Sequence, residues 1–205
     1  MTLLAAMLML TAGCGTSTDN DASPSSAADM PPTAPPTNLT WVTYAGMAIA
    51  QADQGPTTGQ QSVSPAGYQH NGPGAALAAI SSTIRMSVAP DSDWAQIAGA
   101  LAAPGPGRDA WSLERTQISI TSAVPDGQAP RVLGYLVDDY TPARAVISII
   151  TSEPDRSLTA TTTTMAWSPP GDWRRVLPDP AAPNPVNPVR VLDAVPAQMI
   201  PLPQP

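Results

Sequence analysis

His70 is the only histidine and Cys14 the only cysteine among 205 residues, so proton transfer near neutral pH and thiol chemistry each rest on a single side chain. Histidine is the usual general base at this pH, and a Ser–His–Asp arrangement in this chain would have to use His70. That residue stands in Gly67-Tyr68-Gln69-His70-Asn71-Gly72-Pro73, where its plainer role is a loop side chain supporting the start of a helix. No Gly-x-Ser-x-Gly turn accompanies it. One His and one Cys exclude a His/Cys-rich zinc site. All nine basic residues are Arg, and without lysine neither Ser–Lys catalysis nor a Schiff base is available.

The remaining charged clusters read as structure more readily than as chemistry. Asp138-Asp139-Tyr140 is the densest acidic spot. Adjacent strand residues point to opposite faces, so a solvated strand end outweighs weak binding of a hard cation. Asp91-Ser92-Asp93 lacks the later Gly and Glu of a calcium loop and suits a helix cap. In Gly105-Pro106-Gly107-Arg108-Asp109 the proline removes one of the amide donors a phosphate cradle needs, which leaves a structural loop with an Arg–Asp contact. Asp172-Trp173-Arg174-Arg175 reads as a hairpin edge. Trp and Arg are the residues that most often anchor interfaces, so Trp173 and Arg174 are candidate partner contacts. No catalytic residue, metal ligand or cofactor site emerges, and the expectation is a non-enzymatic protein.

Cys14 has a context of its own. Residues 3–10 are an apolar run, and Thr11-Ala12-Gly13 lead into the cysteine. An apolar segment this short, ending in small residues, is a secretory signal with its cleavage site and not a membrane span. Small residues before a cysteine resemble the bacterial lipobox, in which the thiol is acylated and the peptide is cut before it. Thr11 stands where that motif usually has Leu, and no Arg precedes the apolar run. The reading is a signal peptide over 1–13 and a lipid on Cys14 that anchors the chain to the outer face of the cell membrane. Residues 14–40 are rich in Ser, Thr, Asp, Ala and Pro, too polar to offset the entropy of ordering, and are expected to form a disordered tether. A net charge of −7 and a pI near 4.3 argue against nucleic acid held by a basic face and give no attraction to anionic headgroups.

The elements that must position these residues follow from periodicity. An α+β domain is expected over 41–178. Residues 41–44 read as a short strand and 54–67 as a loop. Asn71 and Pro73 start a helix with Leu77, Ile80 and Ile84 on one face. Asp91 or Ser92 caps a second helix carrying Trp94, Ile97 and Leu101, and a third short helical turn holds Trp111. From residue 116 the period becomes strand-like, with strands over 116–124, 131–140, 144–151 and 158–167. A type II turn is expected at Pro169-Pro170-Gly171, with a last strand over 173–177. Two to three helices on a curved antiparallel sheet of four to five strands make an α+β fold. The Pro-rich tail, 179–205, carries Val189, Val191, Leu192, Ile200 and Leu202, which leaves a free and a docked tail both open.

Three landmarks in order are Gly67-Tyr68-Gln69-His70-Asn71 with 72–79, Pro104-Gly105-Pro106-Gly107-Arg108-Asp109-Ala110, and Trp167 with Gly171-Asp172-Trp173-Arg174. Together they resemble an actinobacterial lipoprotein family of uncharacterised function associated with conjugative elements and phages. The order of elements is similar to the nuclear-transport-factor-two-like or cystatin-like cone. The resemblance implies a mobile-element accessory, such as superinfection or entry exclusion, and supplies no catalytic residue. Two functions follow: an anchored module binding a protein or envelope partner, or a small-ligand carrier or sensor with a cavity between helices and sheet. The second expects a shell of Trp94, Trp111, Leu133 and Ile149.

Overall fold

The computed structural model describes residues 30–183 and 187–204. The signal segment, Cys14 and the tether up to residue 29 lie outside the described residues. Residues 30–40, expected in the tether, lie on the domain instead. Asp53 Oδ2 accepts from Thr37 Oγ1 at 3.0 Å and Asn38 Nδ2 at 2.7 Å, and Gln54 Oε1 accepts from the Thr37 N–H at 3.0 Å. The Asp53 and Gln54 side chains thus meet polar groups of a proline-stiffened segment that is outside any strand until Thr40.

The first strand, β1 (Thr40–Tyr44), returns as β2 (Met47–Gln51). Ala45 and Gly46 both have positive φ, the geometry that matches a two-residue turn to the strand twist. Helix α1 (Gly72–Ser87) starts where its sequence predicts. Asn71 Oδ1 accepts the Gly74 N–H at 2.8 Å, and Pro73 fills the first turn, where no amide is needed. Pro32 crosses this helix start so closely that a Cβ on Gly72 would lie 2.1 Å from the Pro32 carbonyl oxygen.

Helices α2 (Trp94–Leu101) and α3 (Pro106–Arg115) follow. The cap of α2 differs from expectation: Asp93 occupies the cap position and makes no side-chain cap bond. Asp91 is engaged elsewhere. Its carboxylate accepts from Arg115 Nη2 and Ser119 Oγ, each at 2.7 Å, and from the Ile120 N–H at 2.9 Å. The same bonds explain why 116–124 is a loop and not the expected strand. Ile118 O accepts from Arg115 Nη1 and Ile120 O from the Asp91 N–H, so side chains and a turn occupy the groups a ladder would use. Ile118 is 56% exposed.

The main sheet is antiparallel throughout: β3 (Arg131–Thr141), β4 (Arg144–Ser152), β5 (Leu158–Ser168), β6 (Asp172–Val176), β7 (Val189–Leu192) and β8 (Ile200–Pro201). Its order is β6-β5-β4-β3-β8, with β7 also paired to β5. The turn before β6 closes from the Gly171 N–H to Ser168 O at 2.9 Å around a cis Pro169–Pro170 bond, where a type II turn was expected. The tail is docked: β7 extends one side of the sheet, β8 the other, and Leu202 is only 2% exposed.

Leu77, Ile80 and Ile84 of α1 pack against Ile147, Ile149 and Met165 of the sheet, with Met47 and Ile49 of the hairpin closing the same core. A smaller core joins Met86, Ala89, Ile97, Leu101 and Ala102, with Trp94 and Trp111 packed on its margin. The chain is therefore an α+β domain in which three helices pack on an antiparallel sheet.

Candidate functional site: a cleft between helix and sheet

Where α1 ends over the starts of β3 and β5, helix and sheet separate and leave a cleft of about 230 Å³. Its floor is apolar: Met47, Ile80, Ile84, Val132 and Ile149, all buried core residues. Hydroxyls stand on its walls, from Thr83 on α1, Thr151 on β4 and Thr161 on β5. Thr83 and Thr163 hydroxyls lie 3.4 Å apart across the helix–sheet seam. Glu153 and Thr159 close the rim, where Thr159 Oγ1 donates to Glu153 Oε1 at 2.9 Å. The carboxylate is thus held in place at the mouth of an otherwise neutral space. An apolar floor with a few placed polar groups is the usual make-up of a small-molecule site.

The expected shell of Trp94, Trp111, Leu133 and Ile149 does not form. Only Ile149 lines the cleft. Trp94 and Trp111 meet edge to face at 6.4 Å on the separate α2–α3 core. A larger open groove, about 490 Å³, lies between residues 103–108, which lead into α3, and the chain after β6.

The residues with chemical potential gather at another corner. His70 stacks on Trp167 with ring centroids 3.9 Å apart and meets Trp173 edge-on at 5.6 Å. Its Nε2 is 2.5 Å from Pro142 O. Trp173 Nε1 donates to Gln69 O at 3.0 Å, and Asp172 accepts from the Gly67 and Tyr68 amides. The 67–71 loop is thereby clasped onto the start of β6, which is why two of the three sequence landmarks are neighbours in space. Trp173 is 3% exposed and Arg174 donates through Nη1 to Gly99 O on α2 at 3.2 Å. The aromatic exposed here is His70, on the half-buried Trp167. Among the described residues no carboxylate is hydrogen-bonded to it.

The acidic clusters do not converge. Asp138 sits in a β-bulge of β3 and accepts from Ser148 Oγ at 2.6 Å, while Asp139 pairs with Arg144 at 3.1 Å. Arg108 and Asp109 lie 3.9 Å apart. Among the described residues, no group of three or more His, Cys, Asp or Glu could hold a metal ion.

A three-helix, antiparallel-sheet domain with an apolar-floored cleft and a carboxylate at its rim is compatible with a non-catalytic binding module. Residues 11–195 match a family described as a domain of unknown function, DUF8175, and the chain belongs to that family. No curated protein and no solved structure matches it.

Proposed function

We propose that this protein is a binding module that takes a small amphipathic ligand in the cleft between α1 and the sheet, as a carrier or sensor. One observation carries the reading: an apolar floor of core residues opens to solvent through a rim of hydroxyls and a single oriented carboxylate. An apolar body would cover Ile80, Ile84 and Ile149, and a hydroxyl or ammonium head would meet Thr151, Thr161 and Glu153. The volume restricts the body to a short chain or one small ring.

The test is a titration of the isotope-labelled protein with hexylammonium and with hexanol, read by amide NMR. Both probes should shift Thr83, Thr151 and Thr161, and hexylammonium should bind more tightly. Glu153→Gln should cost the charged probe about 0.5–1 kcal/mol, a few-fold in affinity, and leave hexanol unaffected. Thr161→Trp, which fills the cleft, should abolish both. Absence of site-specific shifts with either probe would refute the reading.

The anchored reading concerns the N-terminus and is compatible with the cleft. It is supported by the apolar run over residues 3–10 and the small residues Ala12 and Gly13 before Cys14. Among the described residues no helix is long and apolar enough to cross a membrane. A diacylated cysteine binds a bilayer firmly. Cys14→Ala should release the protein from the membrane fraction, and intact-mass analysis showing a free thiol on the wild-type chain would dismiss the anchor.

A further inference from the structure

The α1 helix carries one charge in its sixteen residues, Arg85, and buries it completely. Among the described residues the ion pairs are Arg108–Asp109, Arg115–Asp91 and Arg144–Asp139, and none involves Arg85. Its Nε donates to Ser81 Oγ at 3.2 Å and its Nη2 to Gln60 O at 2.8 Å. The guanidinium carbon lies 4.5 Å above the centre of the Tyr44 ring. Nη1 has no protein partner. Tyr44 Oη is likewise buried without a partner, and the buried Tyr68 Oη makes no direct hydrogen bond within normal geometry, with the Ser81 hydroxyl its nearest polar influence. Burial lowers the Arg85 pKa and raises that of Tyr68, so burial opposes ionisation of both groups.

An isolated charge in a protein interior is strongly unfavourable unless a counter-charge or a full hydrogen-bond shell offsets it. Nη1 and both phenols offer hydrogens to donate, and beside them sits a full positive charge. A compact anion would accept all three of these hydrogens and meet the positive charge directly. Arg85 is the sole cation of the cluster, and the carboxylates of Asp93 and Asp172 act on Tyr44 and Tyr68 respectively, which disfavours a multiply charged anion. The guanidinium is 0% exposed beneath the 55–67 loop, whose Gln60 carbonyl also accepts from Gln51 Nε2 at 2.9 Å. The guest must therefore be compact.

We propose that Arg85, with Tyr44 and Tyr68, binds one monovalent anion of halide size beneath the 55–67 loop. The site is separate from the cleft: Ile84 faces the cleft and Arg85 turns away to the loop. Its failure would leave the ligand reading standing, and the reverse holds too.

The experiment compares thermal unfolding of the full chain in sodium bromide and in sodium gluconate at equal ionic strength. Bromide should raise the melting temperature by several degrees along a one-site hyperbola. This runs against the general salt effect, in which excluded, strongly hydrated anions stabilise most. Tyr68→Phe keeps the ring and removes one donor to the anion, and should raise the half-saturating bromide concentration about tenfold. Arg85→Met should abolish the dependence. If that variant does not fold, Tyr68→Phe carries the test alone. A crystal grown in bromide should show one anomalous peak within hydrogen-bond reach of Nη1. Equal melting temperatures in the two salts, an unchanged bromide curve in Tyr68→Phe, or ordered water in place of the peak would each overturn the proposal.

Discussion

Replacing Leu202 by Ala tests whether the C-terminal tail is part of the folded core. Leu202 is 2% exposed, belongs to the main core with Val132 and Tyr135, and donates its N–H to Leu133 O at 2.9 Å. Its neighbours hold the same segment: Pro203 O accepts from Trp41 Nε1 at 2.9 Å, and Gln204 Nε2 donates to Val132 O at 2.6 Å. Truncation to Ala removes three carbon groups, about 2.4 kcal/mol of transfer free energy at ~0.8 each. The cavity left behind adds to this, for a total of about 3 kcal/mol. In a chain of this size that corresponds to a melting temperature lower by about 6–12 °C. Urea unfolding followed by circular dichroism should show a lower midpoint with an unchanged slope. Val191→Ala is the control: Val191 is 77% exposed on β7 and should change stability by less than about 0.5 kcal/mol. If Leu202→Ala costs less than about 1 kcal/mol, or no more than the control, the tail is not docked and the argument fails.

Other consequences are equally direct. The Ile120 N–H, the Arg115 guanidinium and the Ser119 hydroxyl hold the Asp91 carboxyl down to about 2, from an ordinary 3.8. Its contribution is present above the ordinary carboxylate range and lost as pH falls from about 4 through 2; near-ultraviolet circular dichroism of the Trp94–Trp111 pair should change over that window, and Asp91→Asn should remove the step. Gly107→Ala would place a Cβ 2.3 Å from Leu177 O and 2.5 Å from Pro178 O, and should destabilise by about 1–3 kcal/mol. Gly99→Ala meets nothing within 4 Å inside α2, and should stabilise by about 0.5–1 kcal/mol; opposite signs in the same unfolding assay are the expected result. Trp167→Ala removes the stack under His70 and should cost about 0.5–1.5 kcal/mol beyond lost burial, measured against wild type by urea unfolding.

Local signals located the elements that carry their own boundaries. Asn71, Pro73 and the Leu77–Ile80–Ile84 spacing mark α1. Alternation between turn residues places β3, β4 and β5 within a residue of their ends. Where the pattern misled, another part of the chain had already taken the polar groups. Residues 116–124 alternate like a strand, but Asp91 and Arg115 bind their backbone. β2 was missed because Met47-Ala48-Ile49-Ala50-Gln51 carries a single β-branched residue and pairs only through the Ala45–Gly46 turn. The cleft was beyond reach for a different reason: its lining comes from the hairpin, α1, β3, β4 and β5. Arg85 left one legible trace, a lone charge on a helix of small and apolar residues.

By itself, the sequence determined the α+β composition, the helix starts, the central strands and the scarcity of catalytic side chains, because caps, turn residues and side-chain period act over a few residues. Tertiary structure alone decided that residues 30–40 and the strands of the C-terminal tail dock, that Trp173 is buried beneath its neighbours, and that Arg85 lies enclosed with no ion pair among the described residues. Those outcomes depend on which distant groups satisfy a backbone amide or cover an apolar face, and that competition is settled only when the whole chain packs.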